Sequence, residues 1–252
     1  MRFSVIIPNY NNGEWIGKTL DSVINQTFQD FEIIVIDDLS TDNSVEVIKS
    51  KLRKQDTLIV NESKRFNGGS RNVGILRAKG EYIICIDSDD WFIDNKVFED
   101  VDKTLKGEDI CFMGYLVDKG DVSLSIQNKH KSINDALMDY TCAIWTKVVK
   151  TKLLRETLFP EGTLFEDRIQ HYQLMLKYPT FTNLGRESTV WNRTNLNSIS
   201  NHNTALWTTY RFSYCGELYR LLQTLPEGEF RKYIKDELNG FMKQINDMVE
   251  EI

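Results

Sequence analysis

The stretch FSVIIPNYNNGEWIGKTLDSVINQTFQDFEIIVIDD, residues 3–38, reads as a strand, a helix and a second strand. Segments 3–8 and 31–37 are short and almost entirely apolar, which is typical of strands that are covered on both faces of a sheet. Between them, five apolar residues recur at helical spacing: Trp15, Ile16, Leu20, Val23 and Ile24. This order predicts two parallel strands joined by a helix.

The same alternation continues to about residue 87. A helix is predicted from residue 41, a strand at 57–62, a glycine-opened helix from 68 and a fourth strand at 82–87. Strands and helices that alternate at this pace predict an α/β fold with a mostly parallel central sheet and helices on both faces.

The rest of the chain is less regular. Four further predictions are an antiparallel pair at 109–118 and 122–128, a strand then a helix in 143–154, a helix at 164–178 and a strand at 187–193. From about residue 205 we predict two amphipathic helices, the second with an apolar stripe: Phe230, Ile234, Leu238, Phe241, Ile245 and Val249. Three roles stay open for this C-terminal helical extension: packing on the domain, contact in a homodimer, or peripheral contact with a membrane surface.

Composition narrows the class of protein. The chain has 252 residues and a net charge of -6, and this acidic balance disfavours nucleic acid as a partner, because general nucleic-acid binding needs a basic footprint. The four cysteines show no CxxC spacing, and Cys85 and Cys111 lie in apolar runs, which favours a reducing compartment. The sequence shows no signal segment and no apolar run of about 18 residues, so we expect a cytoplasmic protein without a transmembrane segment, which could work at the inner face of the membrane.

Three carboxylates follow the fourth strand directly, in CIDSDDW at residues 85–91. A D-x-D at the end of a buried strand offers hard oxygen ligands, and Mg²⁺ or Mn²⁺ is typically held by one or two carboxylates together with substrate phosphates and water. The alternative is a solvated acidic turn. We place Asp87 and Asp89 in a candidate metal site and Asp90 in the turn that follows.

The second strand also ends in acids, in VIDDLSTDNS at residues 35–44. Asp38 could accept a hydrogen bond from a nucleotide base or a ribose. We expect Ser40 or Thr41 to cap the next helix, which leaves Asp37 and Asp38 without a structural duty. The sequence has neither G-x-G-x-x-G after the first strand nor a G-x-x-x-x-G-K-[ST] motif, which disfavours nicotinamide and flavin oxidoreductases and excludes P-loop enzymes.

Two further segments carry candidate site residues. In NGGSRNVG, residues 67–74, glycines open a helix with Arg71 in its first turn; this suits an anion such as a diphosphate, or it merely allows a tight entry turn. In GTLFEDRIQHYQ, residues 162–173, Glu166 and Asp167 begin a helix, where acids complement the helix dipole. Asp167 lies beside the apolar face of that helix and could act as a general base.

Taken together and in this order, these segments resemble family 2 glycosyltransferases with the GT-A fold. The likeness runs from SVIIPNYNN through GGSRNVGILRAKGEYIICIDSDDW to LFEDRIQHYQL, and covers roughly residues 3–200. It implies a GT-A domain at 1–204, with a nucleotide-sugar-binding half at about 1–95 and an acceptor-binding half at about 96–204, followed by the helical segment 205–252. One departure is Leu39, where the family's DDGSTD motif has glycine; leucine is tolerated unless the backbone needs a positive φ there.

The resemblance also implies a role for each matched residue. Eight residues would bind the nucleotide sugar: Pro8, Tyr10, Asp38, Asn67, Arg71, Asp87, Ser88 and Trp145. Tyr10 would lie against the base, Asp38 would pair with uracil, and Arg71 would lie near the base or the diphosphate. Trp145 would floor the donor-sugar or acceptor pocket.

The remaining implied roles concern the metal and the chemistry. Asp89, Asp87 and His202, which follows WNRTNLNSIS, would hold Mn²⁺ or Mg²⁺. Asp167 would be the catalytic base, with Glu166 beside it.

The implied activity is that of an inverting transferase. It would move a sugar from a nucleotide-sugar donor, with UDP favoured, to a hydroxyl of a glycan, in glycan or cell-surface polysaccharide synthesis. The metal would stabilise the charge on the leaving diphosphate while Asp167 deprotonates the acceptor. Three alternatives stay open: a nucleotidyltransferase, for which PNYNNGEW lacks the glycine-rich and basic signature; a nucleotide-sugar-binding protein without activity; and a transferase with a protein or nucleic-acid acceptor.

Overall fold

A computed structural model describes residues 1–138, 142–163, 165–196, 198 and 205–250, with residues 205–210 and 246–250 described by their backbone alone. Within these residues the chain forms one nine-stranded sheet, with the strand order β3-β2-β1-β4-β8-β6-β9-β5 and with β7 beside β6.

The first half of the chain is the predicted parallel βα alternation. Its strands are β1 (Phe3–Asn9), β2 (Phe31–Asp37), β3 (Thr57–Val60) and β4 (Tyr82–Cys85), and its helices are α1 (Ile16–Ile24), α2 (Ser44–Lys51) and α3 (Phe66–Arg77). All three pairings among these strands are parallel. Every residue of β1 and of β2 is buried, as the apolar runs predict for strands in the middle of a covered sheet.

The second half completes the sheet with mixed pairings. Its elements are β5 (Trp91–Phe92), α4 (Val97–Thr104), β6 (Ile110–Asp118), β7 (Ser123–Ile126), α5 (Ile133–Leu137), a 3₁₀ turn (Ile144–Thr146), β8 (Lys147–Lys150), α6 (Thr151–Glu156), α7 (Glu166–Met175) and β9 (Phe181–Asn192). The predicted antiparallel pair is β6 with β7, and the predicted strand followed by a helix is β8 with α6. Strand β8 lies between β4 and β6 and is antiparallel to both.

The core has two layers, one on each face of the sheet. Along β1, Phe3, Val5 and Ile7 join one apolar cluster, whereas Ile6 joins the other. Helix α3 packs very closely on the second face: a Cβ atom added to Gly74 would lie 2.6 Å from Cγ2 of Ile6. This glycine therefore lets the helix that carries Arg71 approach the sheet.

Two long helices end the described chain, α8 (Ala205–Thr224) and α9 (Glu229–Glu250). Tyr214, Leu218 and Ile234 are fully buried in the same cluster as Ile6, so these helices pack on the domain, the first of the three roles considered for them. Contact with a second copy or with a membrane surface stays a prediction, as does a domain boundary near residue 204.

Two expectations from composition can be compared with the structure. None of the helices it describes combines the length and the apolar character needed to cross a bilayer. Cys85 and Cys111 are buried free thiols, as predicted from their apolar surroundings. The reducing compartment itself stays a prediction.

Candidate active site

The polar residues that end β1 and β2 bind one another. The side-chain amide of Asn9 donates to Oδ1 of Asp37 at 2.8 Å, and the backbone N–H of Asp38 donates to the carbonyl oxygen of Asn9 at 2.8 Å. Because parallel strands bring their carboxyl ends to one edge of a sheet, residues that are 28 positions apart in the chain meet here.

Both acids that end β2 have structural duties, so our expectation that Asp37 and Asp38 lack one was wrong. Ser40 does not cap α2, which begins at Ser44; its hydroxyl and its backbone N–H both donate to Asp37, at 2.6 and 3.0 Å. Asp38 is 3% exposed and accepts from the backbone N–H groups of Arg65 and Phe66 at 2.8 Å each.

The anion at the start of α3 is therefore the protein's own Asp38 carboxylate. The glycines of this helix serve close packing, because a Cβ atom on Gly68 would lie 2.8 Å from the carbonyl oxygen of Pro160 and 3.0 Å from Cγ of Glu166. Of the two readings of NGGSRNVG, these contacts favour the tight entry. Asn67 lies in the first turn of the same helix.

Leu39 has a φ of +66°, in the left-handed region. This is the condition under which leucine in place of the family's glycine carries a cost, about 1 kcal/mol for a residue with a Cβ atom. The chain tolerates that strain in a side chain that is 40% exposed.

Arg71 is the centre of the site. Its guanidinium is buried and donates to three carboxylates: Asp87 at 2.6 Å, Glu166 at 2.8 Å and Asp167 at 2.9 Å. The implied place of Arg71 near a base or a diphosphate differs from this arrangement, in which the guanidinium binds protein carboxylates. Two acidic segments about 80 residues apart thus converge on one buried cation.

The acid pair at the start of α7 is electrostatically strained in spite of Arg71. Burial raises the pKa of Glu166 and of Asp167 above the usual range of a carboxyl, and the neighbouring Asp167 raises the pKa of Glu166 further. Arg71 opposes both shifts. Asp167 is the more accessible of the two, with 19% of its side chain exposed, and its Oδ2 accepts from the backbone N–H of Ile144 at 3.2 Å. Its carboxylate is therefore fixed at both oxygens.

The D-x-D segment is held by residues from distant parts of the chain. Asp89 accepts from the amide of Asn195 at 2.7 Å, and the hydroxyl oxygen of Ser88 accepts from the amide of Asn12 at 2.7 Å. Asp90 is buried and accepts from the backbone N–H of Asn192 at 2.8 Å, which agrees with its predicted place outside the metal site.

The residues present fit a divalent cation that is shared with a substrate. Burial, and then the charge of Asp87, raise the pKa of Asp89 to about 6, so a cation beside it would relieve an electrostatic cost. Within the described residues, no group of three or more His, Cys, Asp or Glu side chains is arranged to hold a metal ion by itself. A cation here would need further ligands from the substrate and from water, which is usual for Mg²⁺ and Mn²⁺. His202, the third predicted ligand, lies outside the described residues.

Two predicted donor-binding residues lie near the end of β1. Pro8 is buried within the strand, whereas Tyr10 is 47% exposed. The ammonium group of Lys64 lies 2.7 Å from the centre of the Tyr10 ring and 3.0 Å from the carbonyl oxygen of Asp38. A base on this face of Tyr10 would therefore meet Lys64.

Trp145 belongs to an aromatic cluster next to the acid pair. It is 5% exposed, and its ring centre lies 5.0 Å from that of Tyr115 and 5.9 Å from that of Trp191. Its chain neighbour Ile144 binds Asp167, so the cluster borders the candidate base.

Sequence reasoning missed three residues of this site. Asn195 and Asn12 hold the D-x-D segment, and Lys64 covers Tyr10. Asn195 lies in a segment quoted for its resemblance, but nothing in its spacing distinguishes it from the neighbouring asparagines.

The chain was then compared with known proteins. The profile described as glycosyl transferase family 2 matches residues 4–177. Poly(ribitol-phosphate) beta-glucosyltransferase of Bacillus spizizenii is 43% identical over 96 residues, which are 36% of this chain and 15% of that protein. Poly(ribitol-phosphate) beta-N-acetylglucosaminyltransferase TarS of Staphylococcus aureus is 37% identical over 174 residues, 67% of this chain and 26% of TarS. Glycosyltransferase GlyG of Streptococcus pneumoniae is 27% identical over 196 residues, 69% of this chain and 64% of GlyG. The chain thus spans less than two thirds of each relative.

Solved structures share the fold. Residues 1–349 of S. aureus TarS in complex with UDP-GlcNAc superpose with a TM-score of 0.71 at 22% identity, covering 96% of this chain and 72% of the other. Mannosyltransferase PcManGT from Pyrobaculum calidifontis, in complex with GDP-Man and Mn²⁺, gives a TM-score of 0.62 at 15% identity, covering 94% and 69%. Because the profile match extends over more than half of the residues, the chain belongs to glycosyl transferase family 2 and has the GT-A fold.

Proposed function

We propose that the chain transfers a sugar, with inversion, from a UDP-sugar to a hydroxyl group of a glycan or related polymer. One observation carries this proposal: Arg71 joins Asp87, at the carboxyl end of β4, to Glu166 and Asp167, at the start of α7. The two acidic segments that the reaction needs, one for the leaving group and one for the acceptor, thereby face the same site.

The donor would lie along the carboxyl ends of the parallel strands. Tyr10 would stack on the base, and Asp38 would accept from uracil in addition to its bonds with the α3 entry. The complex of TarS with UDP-GlcNAc supports a UDP-sugar, and the names of two relatives support a poly(ribitol-phosphate)-like acceptor.

Asp89, with Asp87, would hold the divalent cation together with the donor diphosphate. A cation bound there supplies positive charge to the leaving phosphate oxygen. The PcManGT complex with Mn²⁺ supports this choice of ion.

Asp167 would act as the base. The acceptor hydroxyl gives its proton to the Asp167 carboxylate while its oxygen forms a bond to the anomeric carbon, and the bond from that carbon to the β-phosphate oxygen breaks on the opposite face. A single in-line displacement inverts the anomeric centre. Arg71 and the N–H of Ile144 hold the carboxylate still, so its position is set before the substrates bind.

The test is a panel of nucleotide sugars incubated with the full chain and Mn²⁺, with and without chelator, assayed for released nucleotide. We expect release from a UDP-sugar that the chelator abolishes. Full activity in chelator would contradict the metal assignment. No release from any donor, with a thermal shift on adding UDP and Mn²⁺, would favour a binding protein without activity; no shift either would contradict the nucleotide site.

Variants separate the two acidic segments. Asp167→Asn should lower kcat by about 10²–10⁴-fold without weakening UDP binding, because the base contributes to the chemical step. Asp89→Asn should instead weaken the Mn²⁺-dependent binding of UDP. The matched control is Asp121→Asn, an exposed acid, which should leave both unchanged. An Asp167→Asn enzyme as active as that control would refute the base assignment.

A further inference from the structure

The entry to α7 is strained at the residue before the acid pair. Phe165 has a φ of +63°, a conformation that is costly for an aromatic residue unless its surroundings hold it. Its ring packs against those of Tyr214 in α8, at 5.3 Å, and of Phe241 in α9, at 5.8 Å. The C-terminal helices therefore hold the turn from which Glu166 and Asp167 project.

The residue after the acid pair is held by the same helix. Arg168 donates to Oε1 of Glu237 in α9 at 2.7 Å, and the two side chains are only 14% and 8% exposed. Tyr214 donates to Oε1 of Glu237 at 2.6 Å, and Tyr172 donates to Oε2 at 2.8 Å. Glu237 thus receives two hydrogen bonds from α7 itself, from Arg168 in its first turn and from Tyr172 one turn later.

These two grips come from neighbouring positions on α9. Glu237 and Phe241 are four residues apart and share one face of the helix. One grips the residue that follows Asp167, and the other packs on the residue that precedes Glu166. No element of the nucleotide-binding half makes these contacts among the described residues, and the family profile ends at residue 177, before α9 begins.

We propose that Glu237 is a positioning residue for the acid pair: through Arg168, it fixes the orientation of the first turn of α7 and thereby of the Asp167 carboxylate. The inference rests on the proposed function, in which Asp167 is the base. A shift of about 1 Å in a reacting group can cost about 100-fold in rate, so a modest loosening of this turn has a measurable effect.

The test uses Glu237→Gln in the full chain, because glutamine keeps an acceptor for the tyrosine hydroxyls but loses the charge that binds Arg168. Asp236→Asn is the matched control, an exposed acid at the adjacent position of the same helix. Two quantities are measured: hydrogen exchange of the α7 entry, and kcat and KM for the donor at a temperature at which both variants are folded.

We expect amide exchange in the α7 entry to become about tenfold faster in Glu237→Gln, while peptides of β1 and β4 stay unchanged. We expect kcat to fall about tenfold or more, with KM for the donor within about twofold, because the donor site lies on the other half of the sheet. Asp236→Asn should change neither quantity.

Faster exchange with an unchanged kcat would overturn the inference, since Glu237 would then be merely structural. Unchanged exchange at the α7 entry would overturn it whether or not the enzyme is active. If the wild-type chain transfers no sugar, the proposed function fails, and exchange alone decides whether Glu237 fixes the acid pair. If Glu237→Gln does not fold, Phe241→Leu tests the same entry from the side of Phe165.

Discussion

Arg71→Met is the most informative perturbation of the cluster. Methionine keeps much of the apolar stem, which packs near Phe159, but removes the guanidinium. Three carboxylates then lose their cation, and two of them, Glu166 and Asp167, have side chains only 10% and 19% exposed. Breaking a buried ion pair by removing one partner costs about 3–5 kcal/mol. Because the three interactions share one donor group, their costs do not add, and we expect a loss of about 4 kcal/mol in the free energy of unfolding at pH 8.

The matched control is Arg65→Met, one turn and a half earlier in the chain. Arg65 pairs with Glu161 at 3.3 Å, but the two side chains are 42% and 49% exposed, so the loss should be under about 1 kcal/mol. Its backbone N–H, which binds Asp38, is kept.

The loss should also depend on pH. Without Arg71, the pKa values of the buried carboxyls rise further above their unfolded values. A raised folded-state pKa of an acid gives stability that is present at low pH and is lost as the pH rises through it. The difference between Arg71→Met and the wild type should therefore be smaller at pH 5.5 than at pH 8. Urea unfolding followed by tryptophan fluorescence measures both values, and a loss at pH 8 no larger than that of Arg65→Met would refute the reasoning.

Three further predictions concern stability. Gly74→Ala should cost about 1–3 kcal/mol by overpacking against Ile6, whereas Gly216→Ala, which meets nothing within 4 Å in a helix, should gain about 0.5–1 kcal/mol; thermal unfolding compares them. Asp38→Asn should cost about 1–3 kcal/mol, because an amide N–H group then faces backbone N–H donors, and an unchanged Tm would contradict its structural duty. Burial lowers the pKa of His171 well below its usual value, so only the unfolded chain takes up this proton and stability is lost as the pH falls below about 6.5; His171→Gln, which keeps a donor for the chain, should show a shallower loss by up to about 1.4 kcal/mol per pH unit, and equal slopes would refute this.

Local patterns predicted the first half of the fold well, because each of its elements carries its own signal. The buried strands β1 and β2 read as apolar runs, and helix α1 reads as a helical stripe. Later elements depend on their partners. Strand β5 has two residues, Trp91 and Phe92, and exists only as a pairing with β9. Strand β9 begins at Phe181, six residues before its predicted start, because β6 pairs with that polar stretch through two register shifts near Gly114.

The site shows the same division. The acids could be predicted, since three of them follow a strand and two begin a helix. Their convergence on Arg71 could not, because it depends on how α7 packs against α3, and no local pattern reports a contact across 95 positions. Leu39 is an intermediate case: the departure from glycine was visible in the sequence, but the positive φ that makes it costly appears only in the structure.

The place of β8 has a consequence for biosynthesis. One edge of β4 stays without a partner until Lys147–Lys150 arrives, roughly sixty residues later in the chain. At about 5–20 residues per second, the ribosome needs several seconds to deliver it. During that time the nascent chain presents the open edge of an apolar strand, YIIC, which is a template for pairing with another chain. A fragment that stops before residue 147 keeps this edge permanently, so the nucleotide-binding half expressed alone should aggregate where the longer chain does not.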